Sequence, residues 1–220
     1  MLSKPIRVLL SGGLDSTACL IGALERWESV DAIGFDYGQP HRSELAAARK
    51  IAGALGVPFQ VAFLELSGGL LDGGVEGGAA VVPGRNEAFL RAAKAASPRC
   101  GGLVVGSTAE DQEVFADCRP EFFDRMRDDL DFPIWTPLIE LRKSDVWSMV
   151  PQEIRRQTRS CYRSTEVACG SCGACQVRAL AVPCPACRIA PGEQTPPGVR
   201  CHSSSGFGLP HRKRVEASCQ

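Results

Sequence analysis

Val8-Leu9-Leu10-Ser11-Gly12-Gly13-Leu14-Asp15-Ser16-Thr17 compresses the end of a strand, a turn and the start of a helix into one short stretch. The apolar run from Ile6 to Leu10 reads as a buried strand, and a helical pattern begins at about Ser16. Between them, Gly12 and Gly13 allow backbone angles that other residues avoid and let a ligand approach the main chain closely. Ser11, Ser16 and Thr17 set hydroxyls beside the amides that a new helix leaves unpaired. Such a corner gathers N–H donors and the positive end of a helix dipole on one point, which suits a phosphate. It lacks the lysine of a Walker loop. A bare Ser-Gly-Gly is an ordinary strand-to-helix turn, whereas Ser-Gly-Gly-x-Asp-Ser directly behind a first strand is far more specific.

The chain has 220 residues, enough for one well-cored domain with a small appendage. Hydrophobic residues make up 44% and charged residues 23%, ordinary for a soluble globular protein. Lysine plus arginine equals aspartate plus glutamate at 25 each, so no global basic field favours nucleic acid or an acidic membrane surface. No apolar run is long enough to span a bilayer. The first strand begins near Met1 and leaves no room for a signal peptide, so a cytoplasmic protein is expected.

Strands alternate with helices along the chain. Ser16 to Trp27 reads as a helix, Val30 to Phe35 as a second strand, Ser43 to Leu55 as a helix closed by Gly56, and Phe59 to Leu64 as a third strand. Ser67 to Ala80 is Gly-rich and reads as a mobile surface loop, a candidate lid. A helix is expected over Glu87–Ala96, a fourth strand at Leu103-Val104-Val105, and a polar loop over Gly106–Asp111. Helices over Glu121–Leu130 and Lys143–Met149 flank an edge-like segment at Thr136–Ile139. The alternation predicts an α/β fold with a doubly wound parallel sheet, its ligands held beyond the carboxyl ends of the strands. Ser11–Ser16 and Asp36-Tyr37-Gly38-Gln39-Pro40-His41 both fall at that edge, where His41 reads equally as a plain loop residue. Arg85-Asn86 is either a turn and helix cap or a bidentate contact for phosphate or carboxylate.

Eleven cysteines are many for this length. In a reduced compartment they favour metal binding over disulfides. Cys169, Cys172 and Cys175 form a C-x2-C-x2-C run, with Cys161 one loop upstream. Four thiolates this close suit a closed, tetrahedral zinc site. An iron–sulfur cluster or free thiols are the alternatives. Metal binding of this kind contributes about 10–16 kcal/mol in small peptides, enough to order a segment with little core of its own. Cys184-Pro185-Ala186-Cys187 resembles half of a second site, with Cys201 and His202 as weak partners. The segment beyond Pro183 is rich in Pro, Gly and Ser and reads as largely disordered, with His211-Arg212-Lys213-Arg214 a solvated basic tail. The expected division is therefore 1–150 as a nucleotide-binding catalytic domain, 151–182 as a metal-binding helical segment and 183–220 as a tail.

The Ser-Gly-Gly-Leu-Asp-Ser corner resembles the PP-loop of the N-type ATP pyrophosphatases, which split ATP between its α- and β-phosphates and adenylate an oxygen of the substrate. The wider ordered set resembles the 7-cyano-7-deazaguanine synthase (QueC) family. It comprises Ser11–Thr17, Phe35–Gln39 with His41 and Glu44, Pro83-Gly84-Arg85-Asn86, Glu110-Asp111, Asp117–Phe122, Thr136–Ile139, Ser160-Cys161-Tyr162, and Cys169 through Cys175 to Arg178. The resemblance runs from the first strand to about Val182. It implies an adenine nucleotide alpha hydrolase-like fold with a small C-terminal zinc-binding segment of four cysteines, and a homodimer. It implies ATP with Mg2+, acting on 7-carboxy-7-deazaguanine and ammonia through adenylated intermediates. ATP would then be held by Leu10, Ser11, Gly12, Gly13, Leu14, Asp15, Ser16, Thr17, Ala18, Cys19 and Leu20, with Asp36 from the second strand. Ser11, Asp15, Ser16, Arg85 and Arg119 would be catalytic, Asp15 ordering the loop or holding magnesium. Asn86 and Asp111 would lie near the substrate, and Cys161, Cys169, Cys172 and Cys175 would hold zinc.

Gln112-Glu113-Val114-Phe115-Ala116 stands where the family usually carries Phe-Ser-Gly-Tyr-Pro, and the tail has no family likeness. A ligase that stops at the amide or uses another amine, a tRNA-modifying PP-loop enzyme with Cys118 as sulfur carrier, and a non-enzymatic nucleotide- and zinc-holding module are the other readings. Balanced charge argues against the tRNA reading.

Overall fold

The computed structural model describes residues 4–39, 42–65, 84–161 and 168–181. The expectations for Pro40 and His41, the Ser67–Ala80 loop, Val81–Pro83, Tyr162 and the 183–220 tail, with Cys184, Cys187, Cys201 and His202, lie outside the described residues.

The first strand forms as β1 (Ile6–Leu9). Ile6, Val8 and Leu10 join one core cluster while Leu9 packs against the other, the two-residue alternation of a pleated strand. Arg7 interrupts the apolar run, and its charge is met by both carboxylate oxygens of Asp31 at 2.6 and 2.9 Å. Four further strands follow: β2 (Val30–Asp36), β3 (Phe59–Phe63), β4 (Gly102–Val104) and β5 (Ile134–Trp135). Their order is β3-β2-β1-β4-β5 with every neighbouring pair parallel. The chain order reverses between β1 and β4, which places a ligand crevice beyond their carboxyl ends.

The helices are α1 (Leu14–Arg26), α2 (Arg42–Ala54), α3 (Arg85–Ala95), α4 (Ala109–Val114), α5 (Pro120–Leu130), α6 (Lys143–Met149), α7 (Gln152–Arg155) and α8 (Gly173–Ala181). Leu20 of α1, Ile51 of α2 and Val146 of α6 bury against Val8 and Leu10 on one face of the sheet. Leu90 of α3 and Phe122, Phe123 and Met126 of α5 bury against Ile33, Phe35 and Leu103 on the other. A doubly wound sheet needs this two-sided cover because strands buried on both faces cannot turn one to water.

Two local expectations are corrected. The polar loop expected up to Asp111 gives way at Ala109 to α4, because the Asp111 carboxylate accepts from both the Thr108 amide, at 3.0 Å, and the Thr108 hydroxyl, at 2.8 Å. The edge segment expected at Thr136–Ile139 lies two residues too late. The paired strand is Ile134–Trp135, and Val105 donates its amide to the Trp135 carbonyl at 2.9 Å. Pro137 has no N–H for a ladder, so the chain turns there, with Ile139 donating back to Thr136.

Candidate active site

The corner between β1 and α1 is a closed hydrogen-bonded turn. Ser16 Oγ accepts from the Ser11 amide at 3.2 Å and lies 3.0 Å from Ser11 Oγ, which in turn accepts from the Gly13 amide at 3.3 Å. The Thr17 hydroxyl donates to the Gly13 carbonyl at 2.7 Å, tying the loop to the first turn of α1. Gly12 has φ +90°, and a Cβ there would run into the Glu44 carbonyl and come within 2.8 Å of the Ala48 amide. Helix α2 therefore sits directly on the loop, and only glycine fits the approach. On the other side, a Cβ on Gly106 would lie 3.1 Å from the Ser16 amide, so the chain leaving β4 closes the crevice. Leu10, Leu14, Ala18, Cys19 and Leu20 turn their side chains into the core, leaving only backbone to meet a ligand. Asp36 stands at the end of β2 and accepts the Gly38 amide at 3.1 Å.

Asp15 faces a cation that the sequence reading missed. Lys143, at the start of α6, reaches Asp15 Oδ2 at 2.6 Å and Asp111 Oδ2 at 3.0 Å, and is 9% exposed. Glu110 accepts the Lys143 amide with both carboxylate oxygens at 3.2 Å. Burial lowers the Lys143 ammonium pKa, but the two aspartates outweigh it and hold the group above its ordinary value. Burial raises the Asp15 carboxyl, and Lys143 opposes that. Asp15 Oδ1 is buried with no hydrogen-bond partner among the described residues. A free carboxylate oxygen beside a phosphate corner fits a hard cation, which takes oxygen ligands.

A second group lies at the end of β2. The Gln39 side chain is buried, accepting the Tyr37 amide at 2.8 Å and donating to the Phe35 carbonyl at 2.9 Å, so the Asp36–Gln39 turn is rigid. Phe89 of α3 stacks on Phe35 at 4.6 Å and tilts against Tyr37 at 5.3 Å. This packing brings Arg85 to Tyr37, whose phenol is pushed up by burial and eased back by the Arg85 charge. Glu44 faces the same guanidinium, and burial pushes its carboxyl up to about 7 against the pull of Arg85. The cluster pairs an anion binder with a carboxyl group that holds or releases a proton near neutrality.

Asn86 donates to the Asp117 carbonyl at 3.0 Å, and Ser107 donates to the Cys118 carbonyl at 2.9 Å, which locks the Asp117–Cys118 turn to β4. Burial raises the Cys118 thiol to about 11, so it is a poor thiolate. Arg119 stands apart from the corner. Its Nε donates to the Gln112 carbonyl at 3.1 Å, and it lines an open groove of about 580 Å³ with Gly84, Glu87 and Arg125.

The four expected metal ligands do converge. The sulfurs of Cys161, Cys169, Cys172 and Cys175 all lie within 4.8 Å of one another. Four sulfurs about 2.3 Å from a tetrahedral zinc would be about 3.8 Å apart, so the cage is close to the required size. The Cys172 amide points at Cys169 Sγ and the Cys169 amide at Cys161 Sγ, each at 3.4 Å. Backbone hydrogen bonds from Ser171 and Cys172 lower the Cys169 thiol to about 6, while burial raises Cys175 to about 12.

Signals for the missed residues differ. Thr108-Ala109-Glu110-Asp111 is a capping pattern visible in the sequence. Lys143 carries no local signal, since its partner Asp15 is 128 positions away.

The family described as "Queuosine biosynthesis protein QueC" matches residues 6–183. The chain belongs to the QueC family. Among QueC-like relatives, the 7-cyano-7-deazaguanine synthase of Shouchella clausii is 33% identical, covering 81% of this chain and 93% of the relative. The 7-cyano-7-deazaguanine synthase of Oceanobacillus iheyensis is 35% identical over the same shares. Among solved structures, the U34-tRNA thiolase NcsA from Methanococcus maripaludis, with its 4Fe-4S cluster, superposes with a TM-score of 0.51 at 17% identity. That match covers 80% of this chain and 65% of the thiolase, and it shows that the two share a fold.

Proposed function

We propose that this chain converts 7-carboxy-7-deazaguanine, ammonia and ATP into 7-cyano-7-deazaguanine, releasing AMP and pyrophosphate. The observation that carries the reading is the donor-lined Ser11–Ser16 corner at the β1/β4 switch point, in a chain of the QueC family. A carboxylate repels nucleophiles. Attack of its oxygen on the α-phosphorus of ATP expels pyrophosphate and turns the oxygen into part of a leaving group. Ammonia then adds to the acyl adenylate, AMP departs with that oxygen, and an amide and a proton remain. A second ATP adenylates the amide oxygen, and loss of AMP and a further proton leaves the nitrile.

In this reading the exposed Ser11 side chain and the first-turn amides of α1 grip the pyrophosphate as charge builds on it, while the buried Ser16 and Thr17 hydroxyls hold the turn that aims them. Lys143 neutralises the Asp15–Asp111 pair and keeps Asp15 beside the phosphates. Arg85 takes the carboxylate of the acid, and Glu44 accepts the proton that ammonia loses. Asp36 supports the adenosine side from the end of β2, and Arg119 contributes from the neighbouring groove. Asp15 Oδ1 would hold Mg2+, which supplies charge neutralisation on the departing pyrophosphate. Zinc is the metal we assign to the four-cysteine cage, as a closed all-sulfur site with a structural role. Residues 1–150 form the catalytic domain and 151–182 its metal-bearing segment. The enzyme works in the cytoplasm as a homodimer.

Purified protein incubated with ATP, Mg2+, ammonium and 7-carboxy-7-deazaguanine should yield AMP, pyrophosphate and a product one water lighter than the amide by mass spectrometry. Accumulation of the amide alone would replace this reading with that of an amide ligase. No AMP with this acid would end it.

A further inference from the structure

The segment that delivers Cys161 to the metal cage touches the nucleotide corner first. The Arg159 amide donates to the Gly12 carbonyl at 2.9 Å, and the Arg159 carbonyl lies 3.6 Å from where a side chain on Gly13 would begin. Gly12 is at φ +90° and has no side chain to fix its carbonyl direction. Its carbonyl is held from outside instead. The same peptide unit donates its other end, the Gly13 amide, to Ser11 Oγ at 3.3 Å. A planar peptide cannot turn one end without the other, so a hydrogen bond on the carbonyl sets where the Gly13 N–H points.

The strap that presents Arg159 is itself anchored. Thr158 is buried and its hydroxyl donates to the Arg155 carbonyl at 2.7 Å. Arg178 of α8 donates to Ser160 Oγ and to the Arg155 carbonyl, both at 3.2 Å. Two residues beyond Arg159, Cys161 places its sulfur in the four-cysteine cage. The Arg159 side chain is turned back on its own segment, donating to the Arg156 and Thr158 carbonyls at 3.2 Å. The working part of Arg159 is its backbone.

We infer that the Arg159 amide is a positioning group of the nucleotide site and that metal bound to Cys161, Cys169, Cys172 and Cys175 fixes it there. The cage then does more than staple a terminal segment: through Thr158–Cys161 it sets the geometry of the phosphate loop. This goes beyond the proposed reaction, and it is read from ATP binding and amide exchange, whatever the product.

Arg159→Pro deletes the donor, whereas Arg159→Ala keeps it. By calorimetry the alanine variant should bind ATP within about twofold of the parent. The proline variant, with full metal content by elemental analysis, should bind at least about tenfold more weakly, as expected for loss of one hydrogen bond. Hydrogen exchange across Ser11–Ser16 should quicken in the proline variant and, equally, in parent protein stripped by a chelator. Added Zn2+ should reverse the second effect. Metal-loaded Arg159→Pro with parental ATP affinity overturns the inference. So does stripped, folded protein whose corner exchanges as before. Should one perturbation melt the chain, the other decides.

Discussion

Glu44 carries a pH signature that one substitution can test. Burial raises its carboxyl from 4.5 to about 7, Arg85 opposing the shift. A folded value above the unfolded one means that the fold favours the protonated acid. That contribution is complete below about 4.5 and is lost as the pH climbs through about 7. Glu44→Gln has no charge to bury, so it should gain on the parent by roughly 2–3 kcal/mol across this window, some of the shift being screened by solvent. Denaturant titrations at several pH values would read this as a widening gap, and a gap that stays constant assigns the shift elsewhere. In turnover, the same variant should lose the acid limb of the parent's pH profile while retaining the first pyrophosphate release. Lys143 is a sharper case. Lys143→Met leaves Asp15 and Asp111 with no cation between them, which should cost about 3–5 kcal/mol in stability and at least about a hundredfold in pyrophosphate release. Lys143→Arg should recover part of the stability. Methionine with near-parental adenylation would remove Lys143 from the site.

At the scale of elements, the corner depends on how closely α2 approaches it. Gly12→Ala meets both a φ of +90° and the Glu44 carbonyl, a backbone atom that cannot swing aside. The expected cost is about 2–4 kcal/mol together with loss of measurable ATP binding, seen in thermal melts and calorimetry. Gly38, at φ +79° with open space around it, should accept alanine with a smaller penalty and with ATP binding intact. Equal penalties at both glycines would mean that contact with α2 is irrelevant. The elements that carry strong periodicity were legible: β1, β2 and the helices over α1, α2 and α5 match their expected spans to within one or two residues. β5 was not, because two paired residues offer no period, and the apolar Leu138 and Ile139 beyond Pro137 attract the assignment instead. The convergence of the four sulfurs was legible because a C-x2-C-x2-C run with a fourth cysteine upstream has the spacing that tetrahedral metal sites use. The Lys143 tether was not, because the sheet brings α6 to α1 and nothing local encodes that meeting.

For the whole molecule, α6 is the member that joins the two functional ends. Its first residue, Lys143, stands against Asp15 in the crevice at the β1–α1 corner. One turn on, Trp147 receives Arg155 at 4.7 Å and Arg178 of α8 at 5.6 Å over its ring, and its carbonyl accepts from Arg155 at 2.6 Å. Helix α8, which carries Cys175, is therefore tied to α6 by the Arg178 guanidinium over the Trp147 ring, with Arg155 of α7 over the same ring, each contact worth about 0.5–2 kcal/mol. Trp147→Ala removes the clamp and leaves both the cage and Lys143 chemically intact. If the segment is held mainly by this stack, α8 should detach transiently and expose the sulfurs, so a coloured chelator should extract the metal at least about tenfold faster than from the parent. Trp147→Phe keeps a weaker π-face and should fall between the two. Melting temperature separates this from general loosening, since the alanine variant saturated with Zn2+ should regain most of its lost stability by mass action. Extraction at the parental rate would show that the cage holds α8 without help from α6, and that only the Thr158–Cys161 strap connects metal to nucleotide.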